Sequence, residues 1–196
     1  EVPFNDQWDA EAVRLYAAYV NDSFAWESIF ASHNEHRLVA TQLMNLALFE
    51  LTGRQWDPLL QMACSAALHA LWLALVGGWA ARRVSPRHHI ALFAVLTLCG
   101  VAPYAFENTL WAFQSQFYFA LLFGFIAAVG LLDSSPKSWR WWGGVIAGMV
   151  AALSFGSGAL SGAAILAVSC YRMIGRRRWN LGEVMTCAAG ALIVFA

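Results

Sequence analysis

The chain alternates between long apolar stretches and short polar connections. Residues 59–80 carry no acidic or basic charge over 22 positions, which as an α-helix is enough to cross roughly 30 Å of hydrocarbon. The apolar pattern as a whole predicts spans at residues 59–80, 90–106, 109–132, 141–155, 158–174 and 183–196. The glycines of "SFGSGALSG" predict a turn between the fourth and fifth spans. The last apolar run stops at residue 196, so we expect the sequence to be a piece of a longer chain.

The first part of the chain has a different pattern. Residues 1–37 are polar and aromatic, and residues 38–52 form a short apolar helix candidate that contains Gln42, Asn45 and Glu50. Fifteen residues at about 1.5 Å each do not cross a bilayer, so a helix that lies in the interface or dips partway is expected. The sequence therefore divides into an outer loop with an interfacial helix, residues 1–58, and a transmembrane bundle, residues 59–196.

The composition supports a membrane protein. Charged residues make up 12% of the chain and hydrophobic residues 60%, whereas an ordinary soluble domain is about 25% charged. The four cysteines stand singly in apolar stretches without metal-ligand spacing. No basic run interleaves with polar residues, so nucleic-acid binding has no support. The predicted fold class is all-α, a polytopic transmembrane helix bundle.

The distribution of charge predicts the topology. The connections 81–89, 133–140 and 172–182 hold nine of the twelve basic residues, whereas ten of the twelve acids lie in the first 107 residues. Basic loops face the cytoplasm. The acidic N-terminal segment is therefore expected on the outer face.

The stretch "HNEHR" gathers titratable side chains immediately before the short apolar helix. Arg37 and the histidines His33 and His36 are candidates to bind a phosphate at headgroup depth, since a guanidinium matches phosphate oxygens in fork geometry. If residues 34–38 open a helix, Asn34 is the N-cap candidate. A salt-bridged helix start is the alternative. A metal site is disfavoured, because the two histidines lack HExxH spacing.

Two further polar clusters belong to the same predicted face. "NDQWDAE" presents Asp6, Asp9 and Glu11, and an outer carboxylate near the membrane can act as a general base; a solvated acidic loop is the alternative. "FENTLWAFQSQF" presents Glu107, Asn108 and Gln114 near the end of a span, with Gln116 expected on the opposite helix side. Because polar groups at that depth avoid lipid, we expect them to line an outward-opening cavity together with Glu35.

The order of these elements resembles the GT-C superfamily of polytopic membrane glycosyltransferases. The resemblance covers the acidic first loop, "HNEHR" before a short amphipathic helix, and short spans that carry "FENTLWAFQSQF" and "ALSFGSG". It implies transfer of a sugar from a polyprenyl-phosphate carrier on the outer face of a bacterial cytoplasmic membrane, without a cofactor. The implied base is Asp6 or Asp9. The superfamily's acid often has an acidic neighbour, whereas Asp6 and Asp9 flank Gln-Trp in this sequence, so the choice between them stays open.

Two other functions fit the same clusters. A transporter or lipid flippase would use the cavity with Glu107 as a coupling or substrate-binding group, although the spans show no inverted repeat. A non-enzymatic assembly subunit is the third alternative. The partners expected under the first interpretation are a lipid-linked sugar donor and membrane lipids, while the sugar, the acceptor and the oligomeric state stay open.

Overall fold

The structure, a computed structural model, describes residues 7–33, 36–100, 111–176 and 180–196, and its described part is almost entirely helical. An N-terminal helix, residues 7–20, consists of π-helical turns at Gln7–Ala17 and one α-helical turn at Ala18–Val20. A 3₁₀ turn at Trp26–Phe30 follows. The all-helical prediction is confirmed for the described residues, apart from two paired strands of two residues each.

Seven longer α-helices follow the N-terminal segment in the described part of the chain. In chain order they are α1 Val39–Leu51, α2 Pro58–Ala81, α3 His89–Gly100, α4 Ser115–Asp133, α5 Trp139–Ser154, α6 Ala159–Arg176 and α7 Leu181–Val194. Short 3₁₀ turns at Pro86–His88, Ala112–Gln114 and Gly156–Gly158 precede α3, α4 and α6. The hairpin strands β1, Ser32–His33, and β2, His36–Arg37, pair antiparallel before α1.

Within the described residues, three helices are long and apolar enough to cross a bilayer, judged by length and composition. They cover Pro58–Ala81, Ser115–Asp133 and Gly156–Gly175. The α1 helix has 13 residues and, at about 1.5 Å per residue, is too short. Helix α3 ends at Gly100, and the rest of the predicted span 90–106 lies outside the described residues. The predicted span 109–132 starts later, because a 3₁₀ turn precedes α4 at Ser115.

Side-chain caps define where several helices begin. Asp57 Oδ1 accepts hydrogen bonds from the backbone N–H groups of Leu59 and Leu60 at 3.0 and 3.1 Å, and Pro58 occupies the first turn of α2. Ser138 caps α5 and Asn180 caps α7 in the same way. These caps satisfy backbone donors that have no partner within their own helix.

Helices α4 and α5 pack closely because glycines meet at their contact. A Cβ atom at Gly130 would lie 2.8 Å from the carbonyl oxygen of Arg140 and 2.9 Å from Gly144 Cα. Around this contact, a core of buried residues joins α4 to α7, formed by Ala127, Leu131, Trp141, Ala147, Ile165, Ala189 and Ile193. Small residues that let helix backbones approach are the usual packing device between helices in membranes.

Gly130→Ala is expected to destabilise the protein by about 1–3 kcal/mol, since the added methyl group must push α5 away from α4. Gly143→Ala is the matched control, because a Cβ at Gly143 meets no atom within 4 Å. Thermal unfolding in detergent, followed by circular dichroism, measures both. Equal midpoints for the two variants would contradict the close helix contact.

Candidate functional site

The described residues of "HNEHR", His33, His36 and Arg37, lie in two short strands that pair antiparallel. Ser32 pairs with Arg37 and His33 pairs with His36. Helix α1 begins at Val39, and its N-cap residue Leu38 makes no side-chain capping bond. His36 and Arg37 lie in a strand, so the condition under which Asn34 would be an N-cap is not met by the described residues. Asn34 and Glu35 lie outside the described residues.

The structure brings one predicted base next to one predicted phosphate ligand. Asp9 Oδ2 lies 3.0 Å from Arg14 Nη2 and 3.9 Å from His33 Nδ1. The Asp9 side chain is 54% exposed, whereas that of His33 is 9% exposed. A pocket of about 270 Å³ adjoins the pair and is lined in part by Arg14, His33 and Gln42. Asp9 therefore offers a carboxylate to solvent beside a buried imidazole.

The other hairpin side chains contact the bundle at separate places. The His36 ring lies 4.1 Å from the Phe155 ring, and a Cβ at Gly156 would lie 2.8 Å from His36 Nδ1. A side chain at position 156 would therefore force the His36 ring to shift. Arg37 Nη1 donates to the carbonyl oxygen of Ala196 at 2.6 Å. The hairpin is thus attached both to the α5–α6 turn and to the end of α7.

The start of α4 carries a buried polar group. Gln114, Ser115 and Gln116 are all buried, and Gln116 Nε2 donates to Gln114 Oε1 at 3.4 Å. Ser115 Oγ donates to Thr41 Oγ1 of α1 at 3.0 Å. The expectation that Gln114 and Gln116 point in opposite directions is wrong, because the 3₁₀ turn Ala112–Gln114 changes the helical register.

Three of the remaining predicted site residues cannot be placed. Asp6, Glu107 and Asn108 lie outside the described residues, so the choice between Asp6 and Asp9 and the predicted cavity around Glu107 stay predictions.

A buried carboxyl that the sequence reasoning did not select forms the centre of the N-terminal region. Glu11 is 2% exposed and accepts three amide hydrogen bonds. Asn45 Nδ2 donates to its Oε1 at 2.8 Å, while Gln7 Nε2 and Gln61 Nε2 each donate to its Oε2 at 3.2 Å. The three amides come from the N-terminal helix, α1 and α2. Glu11 therefore joins three elements through one side chain.

Aromatic residues hold the amide of Gln61 in place beside Glu11. Gln61 Nε2 also donates to the Tyr16 hydroxyl at 2.8 Å, and Trp56 Nε1 donates to Gln61 Oε1 at 3.2 Å. The Tyr16 ring stacks on Phe49 with centroids 4.5 Å apart. Because Gln61 Oε1 accepts the hydrogen bond from Trp56, the amide of Gln61 is oriented with its NH₂ toward Glu11.

Burial raises the pKa of Glu11 from 4.5 to about 7, although the surrounding amide hydrogen bonds act to lower it. Desolvation disfavours the charged form more than three neutral donors can offset. The same burial, with the nearby Glu11 charge, raises the pKa of Tyr16. Glu11 therefore exchanges its proton near neutral pH while shielded from bulk water.

One signal in the sequence could have identified this network. Asn45 and Gln61 stand in apolar helices, where a polar side chain needs a partner. The pattern does not indicate which of the acids in "NDQWDAE" is that partner. Within the described residues no three His, Cys, Asp or Glu side chains form a candidate metal site.

His69 of α2 has an aromatic environment. Its ring stacks on Tyr118 of α4 with centroids 4.7 Å apart and planes at 16°.

Comparison of the chain with protein-family models, with curated proteins and with solved structures gives no match.

Proposed function

We propose that the chain is part of a membrane glycosyltransferase that moves a sugar from a polyprenyl-phosphate carrier to an acceptor hydroxyl. The observation that supports this function best is the neighbourhood of Asp9 and His33, with Asp9 Oδ2 3.9 Å from His33 Nδ1. A solvent-exposed carboxylate can approach an acceptor, and an imidazole beside it can face the phosphate of a donor. Arg37 lies on the paired strand of the same hairpin.

In the proposed reaction Asp9 takes the proton of the acceptor hydroxyl as the oxygen attacks the anomeric carbon. The bond between that carbon and the phosphate oxygen breaks, and the polyprenyl phosphate leaves with the electron pair. His33, which lies beside Asp9, would stabilise the negative charge of the leaving phosphate, and His36 and Arg37 would join it by turning from their contacts with Phe155 and Ala196. A guanidinium has five N–H donors, so the bond of Arg37 to Ala196 does not exhaust its capacity.

The direct test is transfer of a radiolabelled sugar from a polyprenyl-phosphate donor by the full-length protein in liposomes. Product formation that depends on both the donor and the protein supports the proposal. Absence of transfer with a panel of donor sugars and acceptors, from a folded and correctly oriented protein, would reject it.

The proposed enzyme sits in a bacterial cytoplasmic membrane with its N-terminal segment on the outer face. This orientation follows from the basic connections between spans. In a cysteine-free background, a cysteine at position 22 should react with a membrane-impermeant maleimide in intact cells. A cysteine at position 137 should react only after the cells are permeabilised; both positions are exposed in the structure. Labelling of position 137 but not of position 22 in intact cells would show the opposite orientation, with Asp9 on the cytoplasmic face.

Glu11 favours a second function, a transporter or flippase without transferase activity. Its carboxyl is shielded from water and has a pKa of about 7, as expected of a group that couples proton uptake to a conformational change. A substrate flux driven by a pH gradient, abolished in Glu11→Gln and retained in Asp9→Asn, would select this function over the transferase.

A further inference from the structure

A groove lies at the basic end of the bundle, remote in sequence from the hairpin site. It has a volume of about 690 Å³ and is formed by the last turns of α2 and α4 and the first turn of α5. Its apolar wall includes Leu75, Phe125, Ile126 and Val129. The wall is recessed at Gly78 and Gly143, where a Cβ atom would meet nothing within 4 Å.

The polar rim of the groove carries more positive than negative charge. Arg82, Arg83 and Arg140 face a single acid, Asp133. Asp133 already forms an ion pair with Arg83 and accepts a hydrogen bond from Trp79 Nε1 at 3.3 Å. Arg83 also lies 3.9 Å over the Trp79 ring. Among the described residues, Arg82 and Arg140 have no carboxylate partner, so the rim has an excess of two cations.

From this arrangement we infer a binding site for one anionic phospholipid. Its phosphate binds Arg82 and Arg140, and an acyl chain lies in the groove between α2 and α4. A guanidinium binds phosphate oxygens with more than one N–H, and basic pockets between transmembrane helices are suited to anionic headgroups. The apolar length of the groove selects a lipid over a free phosphate. Trp139, 80% exposed at the rim, suits the headgroup boundary.

The headgroup part of the site is tested with the purified full chain in neutral detergent. Native mass spectrometry measures the dissociation constant of the first bound phosphatidylglycerol, with phosphatidylcholine as the neutral lipid. We expect preference for phosphatidylglycerol and a loss of about fivefold for each of Arg82→Gln and Arg140→Gln. Lys137→Gln is the matched control, since Lys137 is at the same end but outside the groove, and its effect should be less than twofold.

The acyl-chain part is tested by filling the groove. Gly78→Phe should weaken phosphatidylglycerol binding at least tenfold, whereas Gly175→Phe, equally free of contacts at its Cβ but on α6, should not. Unchanged thermal unfolding shows that each variant is folded. If Lys137→Gln weakens phosphatidylglycerol binding as much as Arg82→Gln and Arg140→Gln do, the lipid is attracted by surface charge in general, and the proposed site is wrong. Unchanged binding in a folded Gly78→Phe variant, or equal binding of glycerol phosphate, would overturn it too.

Discussion

Replacing Asp9 with asparagine is expected to lower the rate of the proposed sugar transfer by a factor of about 10²–10⁴ without unfolding the protein. The loss corresponds to about 3–5 kcal/mol of transition-state stabilisation. Asparagine keeps the shape of the side chain and cannot take the acceptor proton. Asp9 is 54% exposed and its pairing with Arg14 is at the surface, where an ion pair contributes about 0–1 kcal/mol. Stability should therefore change little.

Two control variants separate a role as base from a role as ion-pair partner. Arg14→Gln removes the 3.0 Å ion pair and leaves the Asp9 carboxylate, so most of the turnover should remain. Glu27→Gln removes another exposed carboxylate of the same N-terminal segment and should have no effect. The measurement is the initial rate of transfer in liposomes at matched protein levels. If Asp9→Asn keeps the wild-type transfer rate, or if Arg14→Gln lowers that rate as much as Asp9→Asn does, Asp9 is not the base.

The helices could be predicted from the sequence because length and apolarity are local properties. The uncharged run 59–80 corresponds to α2, Pro58–Ala81, and the glycines near residue 156 form the expected turn before α6. A long uncharged apolar run has few alternatives to a helix in a bilayer, since the hydrocarbon offers no hydrogen-bond partner to backbone groups that are left unpaired.

The polar region could not be predicted in the same way, because its structure depends on contacts between distant residues. "HNEHR" has no periodicity that separates a hairpin from a helix start, and the hairpin is held by contacts of His36 with Phe155 and of Arg37 with Ala196. Glu11 bonds to Asn45 and Gln61, which are 34 and 50 positions away. Nothing in "NDQWDAE" distinguishes the acid that becomes buried from the acids beside it.

The burial of Glu11 predicts a marked dependence of stability on pH. In the unfolded chain its carboxyl ionises with a pKa of 4.5, and in the folded protein with a pKa of about 7. Between these values unfolding releases a proton, so a rise in pH favours the unfolded state. The stabilising contribution is complete below pH 4.5 and is lost as the pH rises through 7. At about 1.4 kcal/mol for each pH unit, Glu11 should lower the free energy of unfolding by about 3 kcal/mol over this range.

The Asn45 amide can stabilise the protonated carboxyl of Glu11. Its Nδ2 donates to Glu11 Oε1, while its buried Oδ1 has no hydrogen-bond partner among the described residues. Rotation of the Asn45 amide by 180° would turn Oδ1 toward Glu11 and let it accept the carboxylic proton. Gln61 cannot make the same change without losing its bond from Trp56. The Asn45 amide is therefore expected to reorient with the protonation of Glu11.

Glu11→Gln should consequently remove most of the pH dependence between pH 4.5 and 7, because the side chain no longer titrates. Its stability should be close to that of the wild type at low pH, since the new carbonyl oxygen can accept from Gln7 and Gln61 while the new NH₂ group donates to the rotated Oδ1 of Asn45. Glu50→Gln alters an exposed acid paired with Arg54, and its unfolding free energy should depend on pH as in the wild type.

Unfolding in mixed micelles at a series of pH values measures all three proteins, and ¹³C NMR of the labelled Glu11 carboxyl measures its titration directly. Two results would show that the carboxyl is open to water and that the three amides do not enclose it. One is a titration midpoint of Glu11 near pH 4.5, and the other is an unfolding free energy of Glu11→Gln that depends on pH as in the wild type.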